Sequence, residues 1–289
     1  MDTIDLKSYK VGFIGGGNMA RAIGIPLIKK NILDSQNTWV SAKTKETLRI
    51  WEQIDPQHPV NTSLENYDVI INSDIIFLAV KPQVFLTAIN SVREESKGRP
   101  LTLENKLFIS VLVGITLKTL EHELKQFIDP RHPLKIIRTM PNMPLCVGEG
   151  VTVYSRNSQV SENDIKILVS MLSHISVVEE IPEYLMNAAG GLTASGPAYA
   201  YLIIEALADG AVKNGLPRDM ATKFAAQVLI GAGKTVLQTR KNPGQLKDEV
   251  CSPGGTTITG IHALEVGAVR ASLMNAVEAA VKRSSELGN

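Results

Sequence analysis

The sequence predicts an α/β protein in two parts: a doubly wound parallel sheet over residues 1–180, then an all-α domain over residues 181–289. Three observations predict it. Short β-branched runs alternate with helical patterns through the first half, as a parallel sheet covered on both faces requires. From about Glu183 the apolar positions take a helical period and small residues become abundant. The length of 289 residues also exceeds the usual size of a single domain.

Lys10-Val-Gly-Phe-Ile14 reads as the first strand and Met19 to Lys30 as the helix after it. Thr38-Trp-Val-Ser41 is the second strand, followed by a helix over Lys45–Gln53. Ile75-Ile-Phe-Leu-Ala-Val80 is the strongest strand, apolar throughout and therefore covered on both faces. Leu107–Val113 and Ile136-Ile137 continue the series. In the second half Pro197–Asn214, Arg218–Thr239 and Val269–Leu287 each read as a helix. Gly215-Leu-Pro217 separates the first two, and Asn242-Pro-Gly244 ends the second. Their alanines allow close helix–helix contact, which suits a bundle or an interface between subunits.

Composition excludes several classes. Apolar residues at 44% and charged residues at 20% argue against disorder. A net charge of +1 gives no basic surface for nucleic acid. Cys146 and Cys251 lie outside any metal or redox spacing, so free thiols in a reducing compartment are expected, with no zinc site. No apolar run approaches the roughly 18 residues of a membrane span. The leader Met1-Asp-Thr-Ile-Asp-Leu-Lys-Ser lacks an apolar stretch and is not arginine-rich, so the expected location is cytoplasmic.

Gly15-Gly16-Gly17-Asn18-Met19-Ala20 fits GxGxxA between a strand and a helix. Gly15 permits a tight turn, Gly17 a close approach of backbone to pyrophosphate, and Ala20 close helix–strand packing. The helix start offers unpaired N–H groups and a positive partial charge. A purely structural glycine turn is the alternative. At the end of the second strand an NAD binder carries an acid, whereas this chain has Ser41-Ala-Lys-Thr-Lys45. Hydroxyl and ammonium groups suit a 2′-phosphate, so NADPH is the expected cofactor, with NADH as a weaker alternative. A solvated basic helix start is the competing explanation. Ala79-Val-Lys-Pro-Gln83 ends a strand at the ligand-binding edge of such sheets, where Lys81 either reaches the cofactor or is an ordinary surface lysine. Arg138-Thr-Met-Pro-Asn-Met-Pro144 is expected to follow its strand and shape the crevice floor under the nicotinamide.

A second glycine loop, Ser252-Pro-Gly-Gly-Thr-Thr257, opens the helical stretch Ile258–Leu264. No lysine follows its glycines, so it is not a nucleoside-triphosphate loop, and a small anion such as a carboxylate fits it. A Ser/Thr N-cap with a glycine turn remains the other reading. Thr193-Ala-Ser-Gly-Pro-Ala-Tyr-Ala-Tyr201 forms a similar helix opening, and the two could close over one ligand. His122, His174 and His262 read as exposed, and Glu205 and Asp209 as solvent-facing or capping groups. With no evident general acid, the chemistry indicated is hydride delivery to an already cationic C=N.

Gly12-Phe-Ile-Gly-x-Gly-Asn-Met-Ala, Ala79-Val-Lys-Pro, Met140-Pro-Asn-x-Pro, Ser195-Gly-Pro-Ala-Tyr, Pro243-Gly-Gln-Leu-Lys and Ser252-Pro-Gly-Gly-Thr-Thr together resemble the pyrroline-5-carboxylate reductase family. They occur in that family's order from about residue 11 to residue 286, and the last block, with Gly260, Leu264 and Glu265, is its most specific signature. The resemblance implies a Rossmann-type domain, an all-α dimerisation domain, and NADPH-dependent reduction of 1-pyrroline-5-carboxylate to L-proline. It implies a homodimer with interleaved helices, five of which form a decamer. Ile14, Gly15, Gly16, Gly17, Asn18, Met19, Lys43, Thr44, Asn66, Ala79, Val80, Lys81 and Pro82 would line the cofactor. Ser195, Gly255, Thr256 and Thr257 would bind substrate, with Ser195 and Thr257 in the catalytic roles and the Thr257 hydroxyl facing the ring nitrogen. Three departures stand out: Gly16 where alanine is frequent, Lys43 and Thr44 where serines are frequent, and bulkier Val111-Leu-Val113 expected to narrow one crevice wall. A hydroxyacid dehydrogenase or imine reductase of the same plan would want a lysine or other general base, and Lys213 and Lys234 lie in no motif. A non-catalytic NADP sensor is the alternative from another class.

Overall fold

The computed structural model describes residues 4–96, 106–126, 128 and 131–287; the first three residues of the leader lie outside them. Alternating strands and helices run β1 (Val11–Ile14), α1 (Asn18–Lys29), β2 (Thr38–Ser41), α2 (Lys45–Glu52), β3 (Asn61–Ser63), α3 (Asn66–Ile71), β4 (Ile75–Leu78), α4 (Phe85–Glu95), β5 (Leu107–Ser110), α5 (Leu117–Lys125) and β6 (Lys135–Pro141). β7 (Gly150–Arg156), α6 (Glu162–Leu172) and β8 (Ser176–Glu180) complete one eight-stranded sheet ordered 3-2-1-4-5-6-7-8. The chain then becomes helical: α7 (Met186–Thr193), α8 (Gly196–Lys213), α9 (Arg218–Thr239), α10 (Pro243–Val250), α11 (Thr256–Val266) and α12 (Val269–Leu287).

All neighbouring strands pair in parallel except β6 and β7. Chain order reverses between β1 and β4, which opens a crevice at the carboxyl edge of the sheet. Register places Ile14 beside Ser41 on one side and Leu78 on the other, so three strand ends share one line. Side chains alternate across the sheet. Phe13, Phe77, Ile109 and Ile137 enter the core on one face, and Ile14, Ile76, Phe108 and Ile136 the core on the other. Phe13 stacks on Phe77 at 4.9 Å between ring centroids and meets Trp51 at 5.3 Å.

The fold departs from the sequence reading in specific places. β4 ends at Leu78, because Ala79 and Val80 leave the ladder toward the turn at Pro82. The run Leu107–Val113 is strand only to Ser110, and Gly114 beyond it takes a left-handed φ of +82°. Ile136-Ile137 seeds a strand that continues through Pro141, so Arg138–Pro141 belongs to β6 rather than following it. β3 is Asn-Thr-Ser, with no apolar signal to mark it.

Contacts divide the chain into two compact units, Met1–Ala194 with Val281–Asn289, and Ser195–Ala280. In the first, α7 packs on β6 and β7 through Met186, Met140 and Val153. In the second, α8 and α9 meet through Ala208, Ala221 and Ala225, where small side chains let the helices approach. Among the described residues no helix is long and apolar enough to cross a membrane.

Gly12 shows how tightly the sheet accepts its helices. A Cβ there would lie 2.6 Å from a Val69 methyl of α3 and press on Ser73. Gly12→Val should therefore cost about 1–3 kcal/mol of stability by overpacking, read as a Tm lowered by several degrees.

Candidate active site

The turn after β1 gives each of three glycines a different task. Gly15 has φ +97°, donates its N–H to Ser41 O at 3.1 Å, and would place a Cβ 2.8 Å from Ala79 O. Only glycine adopts that conformation there without strain. Gly16 O accepts the indole N–H of buried Trp51 at 3.0 Å, and a Cβ at Gly16 would press on Trp51 and Val40. In this chain the frequent alanine would meet that ring. Gly17 is the extended N-cap of α1, with open space where a Cβ would be and no side chain capping the helix. The first-turn N–H groups of α1, at Asn18 and Met19, therefore face outward for an anion, and no acid lies in that turn.

At the end of β2 Ser41 is fully buried, while Lys43 and Thr44 are exposed. Thr44 caps α2, its Oγ1 accepting the Thr47 N–H. Asn66 sits below them with both ends of its amide engaged. Its Oδ1 accepts the Ser41 hydroxyl at 2.7 Å, and its Nδ2 donates to Ala88 O at 3.2 Å and Ser91 Oγ at 3.1 Å. Asn66 thus ties the end of β2 to α4. Nearby, Glu95 accepts the Tyr67 N–H at 2.9 Å, and burial pushes its carboxyl above the usual range.

Ala79 donates its N–H to Ile14 O at 2.9 Å, which brings Ala79–Pro82 beside the glycine turn. Val80 and Pro82 are half-buried and Lys81 is exposed. Beyond β5 the expected wall Val111-Leu-Val113 is only partly a wall. Leu112 is buried in one core at 1% exposure and Val111 packs half-buried against the core on the other face, so only Val113, at 38% exposure, is left to face outward. Arg138 is likewise inside the sheet, 4% exposed and paired with Glu183. Asn142 accepts the Val151 N–H at 2.9 Å and donates to Thr193 O at 3.0 Å, tying β7 to the end of α7. A cavity of about 400 Å³ lies beside Arg138 and Glu183, reached also by Gly114, Thr116, Tyr184 and Asn187.

In the second unit Gly255 is the N-cap of α11, extended at φ −80° and ψ 172°, with no side-chain cap. This decides one alternative, because no Ser or Thr hydroxyl caps that helix start. Gly254 turns at φ +65°, Gly255 donates to Ser252 O at 3.0 Å, and Thr256 and Thr257 form the first turn. Thr257 is half-buried and Thr256 exposed. Ser195 precedes α8 and does not cap it either. His122, His174 and His262 are exposed, and Asp209 pairs with Arg218. Among the described residues no cluster of His, Cys, Asp and Glu could hold a metal ion.

Residues 183–287 match the family model described as pyrroline-5-carboxylate reductase dimerisation. A pyrroline-5-carboxylate reductase of Glycine max is 41% identical over 98% of each chain. The chain belongs to the pyrroline-5-carboxylate reductase family. Residues 10–114 of this family member match the model described as NADP oxidoreductase, coenzyme F420-dependent. A relative from Methanosarcina acetivorans is 37% identical over 98% of this chain and 99% of its own. The crystal structure of the Plasmodium falciparum pyrroline carboxylate reductase, with NADP bound, superimposes with a TM-score of 0.82 at 31% identity, covering 98% of this chain and 100% of that one.

The glycine turn of this reductase-family chain separates strain from ligand approach. Gly15→Ala forces a left-handed residue against Ala79 O and should lower stability by about 1–2 kcal/mol. Gly17→Ala, extended and in open space, should change the Tm little yet weaken dinucleotide binding. Thermal melts with and without NADPH check both.

Proposed function

We propose that this chain reduces 1-pyrroline-5-carboxylate to L-proline with NADPH. The observation that carries the reading is the pair of helix starts left open by glycine, α1 behind Gly15–Gly17 and α11 behind Gly254–Gly255, in a chain whose full length follows its family. The region up to about residue 180 holds the dinucleotide, and residues 181–289 supply the substrate loop and the dimer contacts.

The pyrophosphate is received by the N–H groups of Asn18 and Met19, with Ile14, Gly15, Gly16 and Gly17 bringing backbone close. Lys43 and Thr44 receive the 2′-phosphate, in a position where this chain has no acid. Asn66 holds the ribose end of the site in register through Ser41. Ala79, Val80, Lys81 and Pro82 line the opposite edge. Bound NADPH supplies the hydride from C4 of its nicotinamide. NADH serves as a weaker donor because it offers Lys43 no phosphate.

The substrate carboxylate is held by N–H groups of Gly255, Thr256 and Thr257 at the positive end of α11. The Thr257 hydroxyl faces the ring nitrogen, and Ser195 contributes a second hydroxyl at the start of α8. A cyclic imine protonated on nitrogen is already an electrophile. Addition of hydride at the imine carbon, C2 of the pyrroline ring and C5 of the proline formed, converts the C=N π pair into the nitrogen lone pair, so one proton and one hydride account for the product. The protein's task is proximity and orientation, which explains why no acid–base dyad stands at either helix start.

The working assembly is a homodimer with interleaved C-terminal helices, and a decamer of five such pairs. Exposed Leu202, Phe224, Val228 and Leu237 on α8 and α9 support an apolar interface there, at 47–74% exposure in the single chain. The location is cytoplasmic.

NADPH oxidation measured with and without 1-pyrroline-5-carboxylate tests the reading; a rate that does not respond to the imine overturns it. Thr257→Ala should lower kcat and kcat/KM at least tenfold while NADPH binding is retained, and unchanged turnover removes that role. Lys43→Ala should raise the KM for NADPH about tenfold and leave that for NADH nearly unchanged, the loss of one charge-assisted contact at an exposed site.

A further inference from the structure

β6 carries a cation where the strand is covered on both faces. Arg138 lies between Ser110 of β5 and Ser155 of β7 in register, two small side chains beside a large guanidinium. Its Nη1 meets Glu183 Oε1 at 2.8 Å, and its Nε has no partner. The guanidinium is buried at 5% exposure while the carboxylate is 32% exposed; such a pair is weak evidence for stability, and its attested use is to specify one arrangement. The same Glu183 oxygen accepts a second bond, from the Leu117 N–H at 2.8 Å. That N–H belongs to the first turn of α5, the positive end of the helix.

One carboxylate therefore clamps three segments: β6, the start of α5, and the turn at Glu183–Leu185 that leads into α7. The stretch between β5 and α5, residues 111–116, is held at both ends. Ser110 Oγ accepts the Leu112 N–H at 3.3 Å at its near end, and the Glu183 clamp fixes its far end. Between them lies left-handed Gly114. In a doubly wound sheet with the pyrophosphate at the first βα turn and the adenosine over β2, the nicotinamide points toward this side of the switch point.

We propose that Glu183 is a positioning residue for hydride transfer: through Arg138 and the Leu117 N–H it sets the 111–116 loop against the nicotinamide. The inference rests on the NADPH-dependent reading and deepens it. Misplacement of a reacting group by about 1 Å can cost on the order of a hundredfold in rate, so a released loop should act on the chemical step rather than on nucleotide binding.

The test compares Glu183→Ala and Glu183→Gln with the wild-type chain, using 1-pyrroline-5-carboxylate and NADPH carrying hydrogen or deuterium at the transferred C4 position. Glu183→Ala should lower kcat at least tenfold, leave the KM for NADPH within about threefold, and raise the deuterium isotope effect on kcat. Glu183→Gln keeps an oxygen for the Leu117 N–H and should recover part of the loss. Wild-type kcat and an unchanged isotope effect in both variants overturn the proposal, as does a loss that only follows the folded fraction. Should Glu183→Ala fail to fold, Glu183→Gln decides alone: wild-type behaviour overturns the role, and a lowered kcat with a raised isotope effect supports it. A wild-type chain that shows no imine-dependent NADPH oxidation defeats the functional reading itself, and the proposal with it, before any variant is compared.

Discussion

The chain reversal at Gly15 is the constraint from which the rest of the site follows. β1 ends level with β2 and β4, so Gly15 can donate to Ser41 O while Ala79 donates to Ile14 O. Those two bonds draw the ends of three strands around one turn, and a left-handed glycine lets the chain leave that turn directly into α1. The helix start then opens over the crevice at the switch point, where its uncapped N–H groups attract an anion. Trp51 supports the turn from beneath by donating to Gly16 O, and Gly24 gives that ring room on α1, since a Cβ there would lie 2.6 Å from it.

The second unit repeats the same physics with a different geometry. Gly254 reverses the chain, Gly255 occupies the N-cap without a side chain, and two threonines add hydroxyls to the first turn of α11. An open helix start attracts any small anion equally well, so the glycines alone do not choose between phosphate and carboxylate. The threonine hydroxyls do more to choose, because they offer a partner to a ring nitrogen that no phosphate carries. The proposed chemistry then divides between the two loops: one holds the hydride donor, the other holds and orients an acceptor that needs no further acid.

Much of this was legible in the residue order, because strong periodicity and glycine punctuation are local signals. β1, β2, α9 and α12 emerge from their patterns nearly residue for residue. The features that were not legible depend on distant partners. Nothing in the run Val111-Leu-Val113 says that Leu112 and Val111 turn to the cores on opposite faces while Val113 is left exposed. Asn66 enters the sequence reading only as an expected cofactor contact, and nothing local announces that Ser41, Ala88 and Ser91 come together around its amide. Arg138 reads as the start of a crevice floor, but antiparallel β7 extends β6 and buries it between two serines. Glu183, separated from Arg138 by 45 positions, had no motif to mark it.

In the proposed reaction a hydride passes directly from the nicotinamide to the imine carbon, which becomes C5 of proline. Turnover of 1-pyrroline-5-carboxylate with NADPH deuterated at both C4 positions, followed by mass and NMR analysis of the amino acid formed, tests it most directly. Direct transfer yields L-proline carrying one deuterium, bonded to C5, with none acquired from deuterated water at that carbon. Product without deuterium at C5, or C5 labelled from the solvent instead, would contradict it.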